Sequence, residues 1–273
     1  MIINNNLIHE MKLVMLLFKT GVKDVNESFG KIFADLMITL MRVGVVLYLY
    51  AFLFESKGGE ILGKNFQVIA WSMFLYFLFM YINPRYISAD IQKDIQTGKI
   101  EILLSKPVSY IFYKLGEYLG LRFTTFIISS IFGIAMMAFI IGVPAHFYNL
   151  FFSLTFMLTF LCCFVLSYEL YVILGFLSFW MQDTNPVRWI VDKFVMILGG
   201  AYFPVAFFPE ILKNLSLYTP LGASQFLTYT AYANWSSIFL KMFLIQMFWI
   251  ILLGIILYLI QKNAFQKLSI NGG

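Results

Sequence analysis

Long apolar runs alternate with short polar connections along this 273-residue chain. A helix needs roughly 20 residues to cross a hydrocarbon core of about 30 Å, so apolar runs of about 18 residues or more are candidate membrane spans. The pattern predicts six such spans, at residues 33–54, 66–83, 118–141, 150–175, 187–204 and 236–260. We therefore expect an all-α, polytopic membrane protein in which residues 1–273 form a single transmembrane domain.

Residues 1–31 show a different periodicity ahead of the first span. Apolar side chains recur there at steps of three and four residues, which places them on one face of a helix. That face consists of Leu7, Met11, Val14, Phe18, Val22, Val25 and Phe29, with Lys12, Lys19 and Lys23 away from it. The pattern predicts an amphipathic helix in the membrane interface. An ordinary packed helix is the alternative.

The longest polar interruption, residues 84–114, predicts a short amphipathic helix followed by a break. Isoleucines recur every four residues and charged side chains occupy the remaining surface, which gives a helix one apolar stripe. The stripe is Ile87, Ile91 and Ile95, and the charges are Asp90, Lys93 and Asp94. Gly98 stands where a left-handed residue would end this helix. The pattern is typical of a docking element and not of an active site.

Residues 199–235, before the last span, are divided by glycine and proline. The dividing residues are Gly199, Gly200, Pro204, Pro209 and Pro220. Proline does not continue a helix, because it lacks the N–H donor. We predict short broken helices at the outer face, dipping into the membrane where protein covers their backbone groups. A plain extracellular loop is the alternative.

The distribution of charge predicts the orientation. If the N-terminus lies inside the cell, most lysines and arginines fall on inner segments, including residues 84–114. Cytoplasmic loops of membrane proteins are enriched in these residues, so both termini are predicted to be cytoplasmic. The net charge of +5 is small and dispersed over a chain that is 61% hydrophobic, and nucleic-acid binding is not expected.

Motifs of catalysis and of nucleotide binding are incomplete. Gly58 to Lys64 has the G-x-x-x-x-G-K spacing of a phosphate-binding loop, but Asn65 stands where a serine or threonine would bind Mg²⁺. The histidines form no H-E-x-x-H pattern, and the adjacent Cys162 and Cys163 suit core packing better than a metal site. We predict no catalytic residue, no metal site and no ATPase site in this chain.

Asp35, Arg42 and Glu169 are candidate polar sites within the predicted spans. Asp35 and Arg42 are seven positions apart on one helical face, and they pair loosely, face a subunit interface or reach the membrane surface. An acidic residue at mid-span costs roughly 2.5–3.5 kcal/mol, so Glu169 is expected to face a partner or a cavity unless it lies at a hydrated helix end. An intramembrane enzyme that pairs Asp35 with Glu169 is the alternative.

Three stretches together resemble the ABC-2 type permeases, the membrane subunits of ABC exporters of drugs, lipids or polysaccharides. The first is Asp90–Val108, an acidic, glycine-broken loop that ends in a leucine pair and a basic-proline turn. The second runs from the Phe179-Trp180 pair through a glycine-rich span end and spaced prolines to Pro220. The third is the basic tail Ala264–Gly273, which ends in two glycines.

The resemblance implies a coupling helix within Arg85–Lys99, received by a groove on a separate ABC ATP-binding subunit. The residues expected to take part are Arg85, Ile87, Asp90, Ile91, Lys93, Asp94, Ile95, Gly98 and Lys99. The isoleucine stripe would supply contact area, and the charges would fix the register. The N-terminal helix would act as a connector.

The resemblance also implies an export permease of the inner (cytoplasmic) membrane, with an amphipathic drug, lipid or glycan as its substrate. ATP and Mg²⁺ would bind to the partner subunit, and this chain would bind no cofactor. Because one six-span chain forms half of a two-fold transporter, a homodimer or a heterodimer with a related permease is expected, surrounded by membrane lipid. The alternatives are an intramembrane enzyme acting on lipid or peptide and a membrane scaffold protein.

Overall fold

The computed structural model describes residue 12 and residues 14–22, 29–105 and 109–271. The chain folds into a bundle of helices. In chain order they are α1 (14–22), α2 (Phe29–Ser56), α3 (Phe66–Phe79), α4 (Ile87–Gln96), α5 (Lys99–Leu104), α6 (Tyr110–Ile140), α7 (Leu150–Phe176), α8 (Asn185–Leu198), α9 (Glu210–Tyr218), α10 (Pro220–Ala223) and α11 (Trp235–Asn271). Short 3-10 turns lie at Ala145–Tyr148, Leu177–Phe179, Val205–Phe207 and Phe226–Ala231. After α2, the two-residue strands β1 (Glu60–Ile61) and β2 (Lys64–Asn65) form an antiparallel hairpin.

Within the described residues, four helices are long and apolar enough to cross a membrane. They are Leu36–Ser56, Tyr110–Ile140, Leu150–Phe179 and Trp235–Phe265. These coincide with the first, third, fourth and sixth predicted spans, so the all-α polytopic fold is confirmed to this extent. The second and fifth predicted spans fall on α3 and α8, each of 14 residues. Such a helix is about 21 Å long, which is shorter than the hydrocarbon core, and six crossings stay a prediction.

Helix α3 lies inside the bundle and is apolar on every side. All residues from Ile69 to Phe79 are buried, as expected of a helix without a polar face. It runs antiparallel to α6. Gln67 Nε2 donates to the Ile141 carbonyl at 3.2 Å near one end, and Tyr118 OH donates to the Asn83 carbonyl at 2.5 Å beyond the other. Because protein covers α3, it does not need the length of a helix that faces lipid.

The two ends of the bundle carry different structures. The hairpin end contains β1 and β2, and Lys64 Nζ lies there 5.6 Å from the ring centroid of Tyr232, just before α11. The elbow end contains α4 and α5, together with the start of α6 and the end of α7. Helix α11 also reaches the elbow end, since the rings of Phe265 and Phe176 meet edge-on with centroids 6.1 Å apart.

Helix α1 packs across the start of α6 through glycine contacts. A Cβ added at Gly21 would lie 2.8 Å from the backbone of Gly120, and one at Gly116 would lie 3.0 Å from Val14 Cα. The described part of the predicted N-terminal helix therefore contacts the bundle at the elbow end. Its position in the membrane interface stays a prediction, and residues 1–11, 13 and 23–28 lie outside the described residues.

The segment before α11 is folded into the bundle. Gln246 Nε2, about three turns along α11 from Trp235, donates to the Ala223 carbonyl of α10 at 3.0 Å. Helices α9 and α10 meet closely because residue 222 is glycine: a Cβ at Gly222 would lie 2.0 Å from the Ser216 carbonyl oxygen. The chain then returns to the hairpin end. Short helices thus occupy the segment that the prolines divide, and its extracellular location stays a prediction.

Glycine and proline set the breaks in this segment. A Cβ at Gly199 would lie 2.9 Å from the Tyr76 ring, so the end of α8 packs tightly on α3. Gly200 has a left-handed φ of 78°, which glycine adopts without steric cost. The prolines stand at helix starts: Pro204 before the 3-10 turn Val205–Phe207, Pro209 before α9 and Pro220 at the start of α10.

Candidate functional site at the elbow end

The isoleucine stripe of α4 packs on an apolar surface of the same chain. Ile87 and Ile91 are buried, with exposures of 1% and 0%, and Ile95 is half-buried beside them. Gly175 of α7 makes room for this contact, because a Cβ there would lie 2.7 Å from Ile91 Cβ. The stripe, which was expected to supply contact area to another subunit, is covered here by the chain itself, and the role of α4 in binding that subunit stays a prediction. An apolar stripe packs on the nearest apolar surface, and the end of α7 provides it.

Gly98 turns the chain between α4 and α5. Its φ of 71° lies in the left-handed region, where glycine has no Cβ to clash. The chain is helical again from the next residue, and Ile100 and Leu103 are buried in the same apolar cluster as the isoleucine stripe. We call residues 87–104 the elbow.

A buried ion pair fixes the elbow to α6. Lys114 Nζ lies 2.7 Å from Asp94 Oδ2 and 2.9 Å from Glu117 Oε2, and Tyr110 OH donates to Asp94 Oδ2 at 2.9 Å. The side chains of Lys114 and Asp94 are only 4% and 6% exposed. Lys99 Nζ, which is half-exposed, lies 3.6 Å from Asp94 Oδ1. Because the buried charges are paired and hydrogen-bonded, removing one of them would leave the other uncompensated.

Gln92 ties α4 to the connection between α7 and α8. Its Nε2 donates to Asp183 Oδ1 at 3.1 Å. Its Oε1 accepts from the Thr184 N–H at 3.2 Å and from the Thr184 hydroxyl at 2.6 Å. The backbone N–H of Asn185 and the Gln92 amide, which both donate to Asp183, lower the pKa of that carboxyl. Both the nitrogen and the oxygen of the Gln92 side-chain amide therefore bond the elbow to the residues just before α8.

The outer face of α4 is polar and exposed. It consists of Asp90, Lys93, Gln96 and Thr97, with Lys99 of α5 beside it. A recess of about 220 Å³ lies between this face and the start of α6, where Glu117 also lines it. Partial burial in this recess raises the pKa of Asp90, against the opposing effect of Lys114. The elbow is thus anchored on one side and presents both signs of charge on the other.

Arg85 lies between α3 and the elbow, and it faces the bundle. Its guanidinium lies 4.5 Å from the centroid of the Tyr86 ring, and that of Arg122 lies 5.3 Å from the same centroid. Arg85 also lines the cavities between α3 and α8. It is therefore set apart from the outer face of α4, although sequence analysis placed it in the same group.

The three candidate polar sites predicted within spans lie on two different helices. Arg42 is exposed on α2, and Asp35 belongs to the same helix with its side chain outside the described part. Glu169 lies where α7 meets α11, with its Oε1 3.3 Å from the position of a Cβ at Gly254. Its buried Oε2 has no hydrogen-bond partner among the described residues. A polar atom buried without a partner is unfavourable.

The residues that attach the elbow to the bundle were not among the predicted site residues. Lys114 and Glu117 stand three residues apart at the start of an apolar helix, and this spacing is a signal for an ion pair. Gln92 and Thr184 are 92 positions apart, and no local pattern links them. Only the fold brings these two together.

Long apolar helices around a buried α3, with a charged elbow tied to one end, define a polytopic α-helical membrane protein. The family model described as ABC-2 family transporter protein matches residues 40–272. The chain belongs to this family and is a membrane permease subunit of an ABC transporter, a type of complex in which the ATPase activity resides in a partner subunit. No match was found among curated proteins.

Proposed function

We propose that the elbow is the point at which a separate ATP-binding subunit attaches to this permease and drives export. The observation that carries the proposal is the contrast between the two faces of α4. One face is held by Ile91, Gln92 and Asp94, whereas the other is exposed and charged. The held face reaches α6, α7 and the start of α8. A push on the exposed face would therefore move three helices together, as a rigid transmitting element must.

In this proposal α3 and α8 complete six crossings. The bonds of Gln67 and Asn83 place α3 and the turn after it alongside α6 from residue 141 to residue 118. Helix α8 begins at the elbow end, and the carbonyl of Leu198 near its other end accepts from Ser216 Oγ of α9 at 2.8 Å. In this proposal, the turn after α3 and the short helices after α8 add the length that each 14-residue helix lacks for a crossing.

The elbow end is the cytoplasmic end in this proposal. The basic residues of the polar segment lie there, as the positive-inside rule requires. Helix α1 and the end of α11 reach the same end, which makes both termini cytoplasmic. The broken helices before α11 then enter from the outer side of the inner membrane.

One face of α2 supports pairing with a second permease, identical or related. Its exposed apolar side chains recur at steps of four and three residues, which places them on one side of the helix. They are Met41, Val45, Tyr48 and Phe52, with exposures of 74%, 66%, 76% and 63%. A second permease would cover part of this face and lipid the rest, and the transporter would export an amphipathic substrate.

Charge reversal on the outer face of α4 tests the attachment. Asp90→Lys combined with Lys93→Glu should reduce co-purification of the cognate ATP-binding subunit about tenfold and abolish ATP-dependent export, because complementary contacts become repulsive. Both side chains lie on the exposed face of α4, so the Tm of the permease should change little.

The matched control is Glu60→Lys combined with Lys57→Glu, an exposed pair at the hairpin end. The ATP-binding subunit should co-purify with this variant as it does with the wild type. Equal loss in both variants, or full co-purification with the first, would refute the elbow as the attachment point.

A further inference from the structure

A cavity of about 310 Å³ lies between α2, α3, α6 and α8 on the elbow side of the bundle. We call it the arginine cavity, because Arg42, Arg85 and Arg122 line it and, among the side chains that the structure describes, no acidic one does. Among the described residues, none of these three guanidinium groups forms an ion pair. Tyrosine and threonine side chains supply the rest of its polar wall.

Two of these positive charges lie beside one aromatic ring, that of Tyr86. The guanidinium groups of Arg85 and Arg122 are 4.5 Å and 5.3 Å from the centroid of Tyr86. Asp192 lines the neighbouring cavity with Arg85, but its Oδ1 accepts from Tyr171 OH at 2.6 Å. Like charges gathered at a site of low dielectric repel each other, and an anion between them relieves the repulsion.

An apolar cavity of about 460 Å³ occupies the next turns of α2, α3 and α6 toward the hairpin end. Leu40, Leu47 and Ala51 line it from α2, opposite Phe74 and Met137. From residue 40 to residue 51 this wall rises about 16 Å, which is close to one leaflet of a hydrocarbon core of about 30 Å. A cationic recess thus adjoins an apolar groove as long as one leaflet.

We propose that this cleft binds a membrane phospholipid of net negative charge, taken from the leaflet at the elbow end. The phosphate would lie among the three guanidinium groups, which suit it because arginine binds phosphate oxygens in pairs. The acyl chain would lie in the apolar cavity. The lipid as exported cargo rests on the proposed function, whereas its binding does not.

Binding is measured on the full chain in detergent, without an ATP-binding subunit, so failure here leaves the proposed function untouched. The protein is equilibrated with mixtures of phosphatidylglycerol and phosphatidylcholine, and retained lipid is quantified by mass spectrometry. The wild type should retain phosphatidylglycerol preferentially. Equal retention of the two lipids by the wild type would overturn the proposal.

The headgroup site is tested with a matched pair of arginines. Arg122→Gln should weaken phosphatidylglycerol binding about tenfold, since a charge-assisted hydrogen bond is lost. Arg188→Gln removes a half-exposed arginine of α8 that does not line the cavity, and it should bind as the wild type does. If Arg122→Gln lowers the Tm, Arg42→Gln takes its place in the test. Arg42 is exposed, and its loss should likewise weaken phosphatidylglycerol binding about tenfold. Equal effects of the cavity and control variants would contradict the site.

The acyl-chain site is tested at Gly44, which lines the apolar cavity and has no atom within 4 Å of an added Cβ. Gly44→Phe should fill the cavity and weaken lipid binding severalfold, whereas Gly44→Ala should leave it unchanged. If Gly44→Phe keeps full binding while inorganic phosphate displaces the lipid from the wild type, the site holds a free anion and the lipid assignment is wrong.

Discussion

Two lysines contact Asp94, and their surroundings differ. The side chain of Lys114 is 4% exposed at 2.7 Å, whereas that of Lys99 is 50% exposed at 3.6 Å. Removing one partner of a buried ion pair typically costs about 3–5 kcal/mol, because the other charge is left buried and unpaired. An exposed pair contributes about 0–1 kcal/mol.

We therefore expect Lys114→Met to lower the free energy of unfolding by about 3–5 kcal/mol, and Lys99→Met by less than about 1 kcal/mol. Denaturant unfolding of the purified permease in detergent measures both. Since the two variants delete the same charge beside the same carboxylate, similar losses would show that burial does not set the strength of this contact.

Asp94 and Lys99 are among the predicted site residues, whereas Lys114 is not. Local spacing shows which charges stand close along the chain, and Lys99 is the nearer of the two lysines in sequence. It does not show which charge the fold removes from water. Depth of burial decides that, and it depends on how α6 packs against the elbow.

Among single elements, α4 shows what periodicity predicts. The repeat of Ile87, Ile91 and Ile95 predicts a helix with one apolar stripe, and Gly98 predicts its end; the helix spans Ile87–Gln96, within the expected Arg85–Lys99. The repeat says nothing about what covers the stripe, because a partner and the same chain offer equally suitable apolar surfaces. Gly175, which admits Ile91, belongs to a distant part of the sequence.

Gly175→Ala tests this packing at the level of the element. The new Cβ would lie 2.7 Å from Ile91 Cβ, so α4 must shift away from α7. We expect a loss of about 1–3 kcal/mol in the free energy of unfolding, typical of overpacking, together with reduced ATP-dependent export. Gly44→Ala, with open space around it, is the control. Indistinguishable unfolding curves for the two variants would show that the contact is not tight.

At the scale of the whole molecule, hydropathy locates the helices that are long and apolar enough to cross a membrane. Helices α2, α6, α7 and α11 lie where the long apolar runs predict them, because each must cover the hydrocarbon core. The apolar run of α3 predicts a full span, but the helix has only 14 residues. Hydropathy does not distinguish this helix, which protein surrounds, from one that lipid surrounds. The prolines predict that the segment before α11 is broken. They do not predict that α10 folds back along α11 as far as Gln246, about three turns from the start of that helix.

Orientation is a property of the whole molecule, and cysteine labelling measures it. Asp90→Cys should react with a membrane-impermeant maleimide only in inside-out vesicles, and Lys57→Cys only in intact cells. Cys162 and Cys163 are buried, so the wild type gives the background. Labelling of Asp90→Cys in intact cells would overturn both the orientation and the attachment of a cytosolic subunit at the elbow.

The described side-chain contacts of Tyr50 and Phe54 hold the second half of α2. Tyr50 OH donates to the Tyr202 carbonyl at 2.8 Å, and Phe54 meets Phe207, whereas the bonds described for the elbow reach α6, α7 and α8. A stroke delivered to the elbow would turn those three helices while α2 stays behind, pivoting near Tyr50. The distance between α2 and α6 would then change with the nucleotide state of the ATP-binding subunit. The cleft between these two helices would open and close accordingly.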